Sequence, residues 1–155
     1  MKARRTQHTA LVTGASSGLG ESFAKQLAVR VRELVIVMEN SSELVRVRRE
    51  IGSGPDCIVT IIVMDLFRPD AADRLFDICR KKKIQVDILI NCAGIFPTID
   101  REMASIGLIE NLVNLHILAV TKLCFLFGKA MIPRREGYIL NVSSIAAEFS
   151  DPASL

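Results

Sequence analysis

Three glycines, at spacings of four and two, are where the chemistry of this chain first becomes visible. They lie in Leu11-Val12-Thr13-Gly14-Ala15-Ser16-Ser17-Gly18-Leu19-Gly20. Gly14 lets the chain turn sharply off a strand, and Gly18 allows close backbone approach to a phosphate. Gly20 allows the following helix to pack near a sheet. A helix starting here offers unpaired N–H groups and a positive dipole end to a diphosphate. The expected seat is therefore built from Gly14, Ser16, Ser17, Gly18, Leu19 and Gly20. The bland alternative is a plain tight turn, but the strand before the loop and the helix after it favour a dinucleotide. Glu39 follows nineteen residues beyond Gly20, near the place where an acidic residue accepts ribose hydroxyls. The competing reading is a solvated turn residue.

These residues need a frame to hold them. Five apolar runs read as strands: residues 9–13 (TALVT), 34–38 (LVIVM), 58–64 (IVTIIVM), 86–90 (VDILI) and 138–142 (YILNV). The runs are continuous rather than alternating, as in parallel strands covered on both faces. Helical periods separate them. Phe23, Leu27 and Val31 mark one face after Gly20, and Asp70 opens a helix with Leu75, Ile78 and Cys79 inward. That helix ends in Arg80-Lys81-Lys82-Lys83, where cations suit the negative dipole end. The longest helical stretch, residues 108–131, is apolar enough to require burial on more than one side, in this core or against a second subunit. The order predicts an α/β fold, a doubly wound, Rossmann-like parallel sheet of five strands in one domain over residues 1–155, with a flexible N-terminus at 1–8.

Composition narrows the class. Half the chain is hydrophobic and the net charge is only +3, which gives no sign of a nucleic-acid partner. No run of about 18 uninterrupted apolar residues exists, so no membrane partner is expected. The basic, polar N-terminus lacks a secretory core. Cys57, Cys79, Cys92 and Cys124 are scattered without a Cys-x-x-Cys pair, which suggests neither a disulfide framework nor a metal site and fits a reducing, cytoplasmic setting.

TGASSGLG resembles the cofactor loop of the short-chain dehydrogenases/reductases, and three later segments agree in order and spacing. Asp65-Leu66 follows the third strand, where the family places an Asp against adenine. Asn91-Cys92-Ala93-Gly94 follows the fourth and is similar to the family's Asn-Asn-Ala-Gly, with Cys92 in the second position. Asn141-Val142-Ser143-Ser144 ends the fifth, where the family carries its catalytic serine. The resemblance implies a nicotinamide cofactor held by the glycine loop, Glu39, Asp65, Leu66, Asn91, Ala93 and Gly94. A carboxylate at Glu39 would repel a 2′-phosphate, and neither Ser16 nor Ser17 supplies the basic residue of NADP-preferring relatives. NAD is thus favoured over NADP, although Arg46, Arg48 and Arg49 lie nearby and bear on that preference.

The family's catalysis uses a Tyr whose pKa, ordinarily about 10, is lowered by a Lys and the cofactor's charge. A Ser holds the substrate oxygen and an Asn on the long helix holds a relay water. The resemblance puts Ser144 in the serine role, against the alternative of a strand-end hydroxyl bonded to backbone. Counting 22 residues on from Gly94 and 28 back from Ser144 gives His116 in the asparagine's place, rather than Asn114. His116 either holds a water or satisfies a backbone group. The family's Tyr falls thirteen residues after the Ser, beyond Leu155. Tyr138, the single tyrosine, precedes the serine and reads as structural. The expectation is an oxidoreductase acting on a small alcohol or carbonyl substrate, seen as an N-terminal portion, catalytically incomplete, and homo-oligomeric through the helix at 108–131. The alternative is a non-catalytic dinucleotide- or partner-binding module. A methyltransferase would explain neither Asn91-Cys92-Ala93-Gly94 nor Asn141-Val142-Ser143-Ser144.

Overall fold

β1 (Thr9–Thr13) is buried at all five positions, which explains why its residues carry no polar alternation. The computed structural model describes residues 6–39, 41–51, 57–95 and 105–144. β1 is flanked by β2 (Glu33–Met38) on one side and β4 (Ile88–Asn91) on the other. The edges are β3 (Ile58–Val63) and β5 (Tyr138–Asn141), giving a parallel sheet of order β3-β2-β1-β4-β5. Val12 stands level with Ile36 of β2 and Ile90 of β4, and Asn91 with Asn141 of β5. The chain winds outward from β1 to β3 and then returns to β1's other side. That reversal opens a crevice at the carboxyl ends of β1 and β4.

Both faces of the sheet are covered, and β1 divides its side chains between them. Ala10 and Val12 pack with Leu34, Ile36, Ala24 and Ala28 under α1 (Gly18–Ala28) and α2 (Ser41–Ile51). Leu11 packs with Val35, Leu89 and Leu75 under α3 (Ala71–Lys81) and the long helix. On α1 the buried stripe is Gly20, Ala24 and Ala28, while Phe23 and Leu27 are half-buried. The small residues win the innermost positions because α1 lies close on the sheet. Arg80, Lys81, Lys82 and Lys83 are exposed, as a solvated helix end should be.

The long helix runs continuously from Ile106 to Arg134. It comprises α4 (Ile106–Val113), a π turn (Asn114–Ala119), α5 (Val120–Met131) and a closing 3₁₀ turn. Ser105 caps it, its Oγ accepting from the Leu108 N–H at 3.2 Å. Leu115, Ala119, Leu123, Phe127 and Met131 face the core at a strict four-residue repeat. Phe127 meets Phe76 of α3 edge to face, with ring centroids 5.1 Å apart. For residues 108–131 the expectation is burial on more than one side, in this core or against a second subunit, and within this chain the helix buries one stripe. The outer stripe of Ile109, Val113, Ile117 and Phe125 is exposed. Among the described residues this is the one helix long and apolar enough to cross a membrane, with mean hydropathy 1.7. Its inner face nonetheless belongs to the core.

One further expectation needs correction. Coverage on both faces holds for β1 and for most of β2, but β3 exposes Ile58 and Val63 and β5 is exposed at all four positions. Both are edge strands, with a neighbour on one side only. Of the N-terminal residues expected to be flexible, 1–5 lie outside the described residues. Thr6 donates its N–H to the Arg30 carbonyl at 2.8 Å, and His8 meets Glu136 at 2.7 Å. Beneath the sheet, Asp87 accepts the Thr9 N–H at 2.9 Å and pairs with Arg134, which also donates to the Val86 carbonyl. This buried carboxylate ties β1, β4 and the end of the long helix together.

The helix's two phenylalanines should separate its faces. Phe127→Ala, deleting a buried ring, should cost about 3–5 kcal/mol in urea denaturation. Phe125→Ala, on the exposed side, should stay within about 0.5 kcal/mol.

Candidate functional site

Gly14 ends β1 with φ +65°, and its conformation is dictated by its neighbour. A Cβ there would lie 2.7 Å from the Ala93 Cα, so the turn after β1 and the turn after β4 touch backbone to backbone. Thr13 bridges the same two turns: its Oγ1 accepts the N–H groups of Cys92 at 3.0 Å and Ala93 at 3.1 Å. The Gly14 N–H donates to the Val37 carbonyl at 2.9 Å, anchoring the loop to β2 as well. Gly20 then brings α1 against the loop so closely that a Cβ would fall 2.0 Å from the Gly14 carbonyl oxygen.

The start of α1 is uncapped. Ser17 is its N-cap residue, yet its side chain makes no capping bond. Among the described residues no backbone carbonyl takes the N–H of Ser17, Gly18, Leu19 or Gly20. These donors open on a cavity of about 440 Å³, within the range of small-ligand sites. Gly14, Ser16, Ser17, Gly18, Leu19 and Gly20 all line it, with open space beside Gly18. Glu39 lines the cavity at the end of β2, and Leu66, Ala93 and Gly94 close it on the far side.

Other expected residues sit behind this wall. Asp65 turns its Oδ1 back to accept the Phe67 N–H at 2.9 Å, and Phe67 rather than Asp65 borders the cavity. Asn91 is buried between β4 and β5, its Nδ2 donating to Asn141 Oδ1 at 2.8 Å. It supports the turn from within the sheet. Cys92 lines the cavity with its thiol pushed up by burial, and buried Cys79 is pushed up to about 11 for the same reason, so both stay protonated. His116 lies in the π turn, and its Nε2 accepts the Ile95 N–H at 3.1 Å. Gly94 fits directly against this ring. Ser144 is exposed three residues beyond β5. It is not part of the cavity lining, and neither is His116.

Two contacts were not read from the sequence. Thr13 carried a weak signal, a hydroxyl at a strand end just before a glycine turn. Arg46, near enough to bear on the coenzyme preference, has local partners in Glu43 and Glu50, but its reach to Ser16 and Glu21, 30 and 25 residues away, has no local signature. Its hydrogen bonds hold the Glu21 carboxyl down at about 2, with Lys25 adding to the effect, so this ion cluster is intact across the working pH range.

The sequence model for the short chain dehydrogenase family matches residues 8–154. The chain belongs to this family. It is 30% identical over 140 residues to the mouse 17-beta-hydroxysteroid dehydrogenase type 3, covering 89% of this chain and 45% of that protein. It is also 30% identical over 148 residues to the very-long-chain 3-oxoacyl-CoA reductase of Anas platyrhynchos, covering 92% and 47% respectively. The chain thus spans about half the length of the curated relatives it matches. A metagenomic short-chain oxidoreductase solved in complex with NADP superimposes with a TM-score of 0.86 at 26% identity, over 97% of this chain and 68% of that one.

As a short-chain dehydrogenase family member, the chain keeps the glycine loop and Gly94 on one cavity. Two loop glycines should behave oppositely when replaced. Gly20→Ala drives a methyl into backbone and should abolish coenzyme binding in a calorimetric titration, with a large fall in melting temperature. Gly18→Ala meets open space in the protein itself and should cost only about 1 kcal/mol of stability, from its left-handed φ of +52°, although its methyl would stand on the cavity side where a phosphate approaches.

Proposed function

We propose that the chain is the coenzyme-binding part of an oxidoreductase that moves hydride between a nicotinamide dinucleotide and an alcohol or carbonyl substrate. The observation that carries this reading is the row of unpartnered amides at Ser17, Gly18, Leu19 and Gly20, opening on the cavity at the sheet's switch point. When bound, the nicotinamide would supply the hydride chemistry. The diphosphate would take the amides, and the ribose hydroxyls would take Glu39. A carboxylate in that position supports NAD over NADP, since it would face a 2′-phosphate with like charge. The metagenomic relative's complex with NADP keeps both coenzymes in the test.

For the substrate half, Ser144 is proposed to hydrogen-bond the reacting oxygen. His116 has committed Nε2 to the Ile95 N–H, so the neutral ring carries its proton on Nδ1. Nδ1 is then the atom left to hold a relay water. The steroid and very-long-chain acyl relatives support a bulky, largely apolar alcohol or ketone. The four cysteines are scattered without a Cys-x-x-Cys pair, which supports a cytoplasmic setting. The exposed Ile109, Val113, Ile117 and Phe125 stripe supports self-association through the long helix.

Fluorescence titration of the 155-residue chain should detect NADH binding in preference to NADPH, with no hydride transfer to ketones above background. Glu39→Gln should improve NADPH binding about tenfold relative to NADH, the scale of one removed charge repulsion. Absence of any response to either coenzyme would remove the redox reading. Light scattering should find a mass above that of one chain, shifted toward the monomer by Ile117→Glu.

A further inference from the structure

Arg46 of α2 has five N–H donors, and the structure matches all five. Nε donates to Glu43 Oε2 at 3.0 Å, and Nη1 to Glu50 Oε1 at 2.8 Å and Glu21 Oε1 at 3.4 Å. Nη2 donates to Glu21 Oε2 at 2.8 Å and to the Ser16 carbonyl at 2.7 Å. Lys25 closes the cluster by meeting Glu21 at 2.6 Å and Glu50 at 2.7 Å. Two cations against three carboxylates leave the cluster net negative, so the guanidinium is committed to the protein and is not offered to a phosphate.

The Ser16 contact is the one that reaches the cavity. The peptide linking Ser16 to Ser17 is planar and trans, so its C=O and N–H point in opposite directions. Fixing the carbonyl toward Arg46 therefore fixes the Ser17 N–H away from it. Ser16 and Ser17 both line the cavity, and that N–H is the first of the unpartnered donors. The rest of the loop is held by the Gly14 and Ala15 N–H groups on the Val37 carbonyl, at 2.9 and 3.5 Å, by the Glu21 N–H on the Ser17 carbonyl at 3.1 Å, and by the packing of Gly20; the Ser16 carbonyl is held by Arg46.

We propose that Arg46 is a positioning residue for the coenzyme: by holding the Ser16 carbonyl, it pre-orients the middle of the glycine loop for the diphosphate. This rests on the dinucleotide reading of the cavity. The advantage is entropic, because an amide already aimed at its ligand need not be ordered on binding. Arginine is required because a lysine ammonium, with three donors on one atom, cannot grip Ser16 and the three carboxylates together.

The test is NADH titration of wild type, Arg46→Lys and Arg46→Met, each well below its own melting temperature. Arg46→Met should bind about tenfold more weakly, the scale of one charge-assisted hydrogen bond. Arg46→Lys should recover part of that loss. Should Arg46→Met fail to fold, Arg46→Gln keeps one amide donor and should still bind several-fold more weakly than wild type. A folded Met or Gln variant with wild-type affinity, its melting temperature alone lowered, would reduce Arg46 to a helix-to-helix staple and overturn the inference while leaving the coenzyme reading intact. A wild-type protein that binds neither NADH nor NADPH would overturn both.

Discussion

The backbone contact between Gly14 and Ala93 is the constraint from which the site follows. It brings the turn after β1 within van der Waals distance of the turn after β4, with no room for even one methyl group. Thr13 locks the pair by accepting two N–H groups from the opposite turn. Because β1 and β4 are spatial neighbours but 75 or more residues apart in the chain, this contact exists only when the sheet order is β3-β2-β1-β4-β5. The cavity is what remains in front of the two turns once they have closed on each other.

Around that contact the polar groups divide their labour. Asn91 is spent inside the sheet on Asn141, and Asp87 is spent at the opposite end on Thr9 and Arg134. His116 spends Nε2 on the Ile95 backbone, which couples the π turn of the long helix to the segment following Gly94. π turns are frequent at functional sites, because the extra residue re-aims side chains that a regular helix would turn elsewhere. Among the described residues the N–H groups at the start of α1 meet no backbone carbonyl and line the cavity. The proposed diphosphate seat is thus made mainly of backbone, with side chains proposed to orient it.

Much of this was legible locally. The glycine spacing, the strand before it and the helix after it place the loop correctly, since turn, close approach and dipole are properties of consecutive residues. Glu39 is legible from its nineteen-residue spacing beyond Gly20, and the Asn91-to-Gly94 segment from its resemblance to the family's Asn-Asn-Ala-Gly. Residues 108–131 are legible as an apolar helix that calls for cover on more than one side, in this core or against a second subunit. Within the chain the folded helix buries one stripe and exposes another. Hydrophobicity counts how much surface would gain from cover, and says nothing of what supplies the cover. Likewise the runs of β3 and β5 read as central strands, because edge position depends on strand order and not on side-chain type.

The sequence by itself determined the element order, the glycine loop between β1 and α1 and the parallel sheet, because each depends on periodicity and turn chemistry within a few residues. Only the tertiary structure decided that Thr13 clasps the second turn, that His116 accepts from Ile95, and that Arg46 reaches back to Ser16. The reason is geometric. A hydrogen bond between groups 21 to 80 residues apart has no local signature, and it forms only after hydrophobic packing has fixed which strands and helices are neighbours.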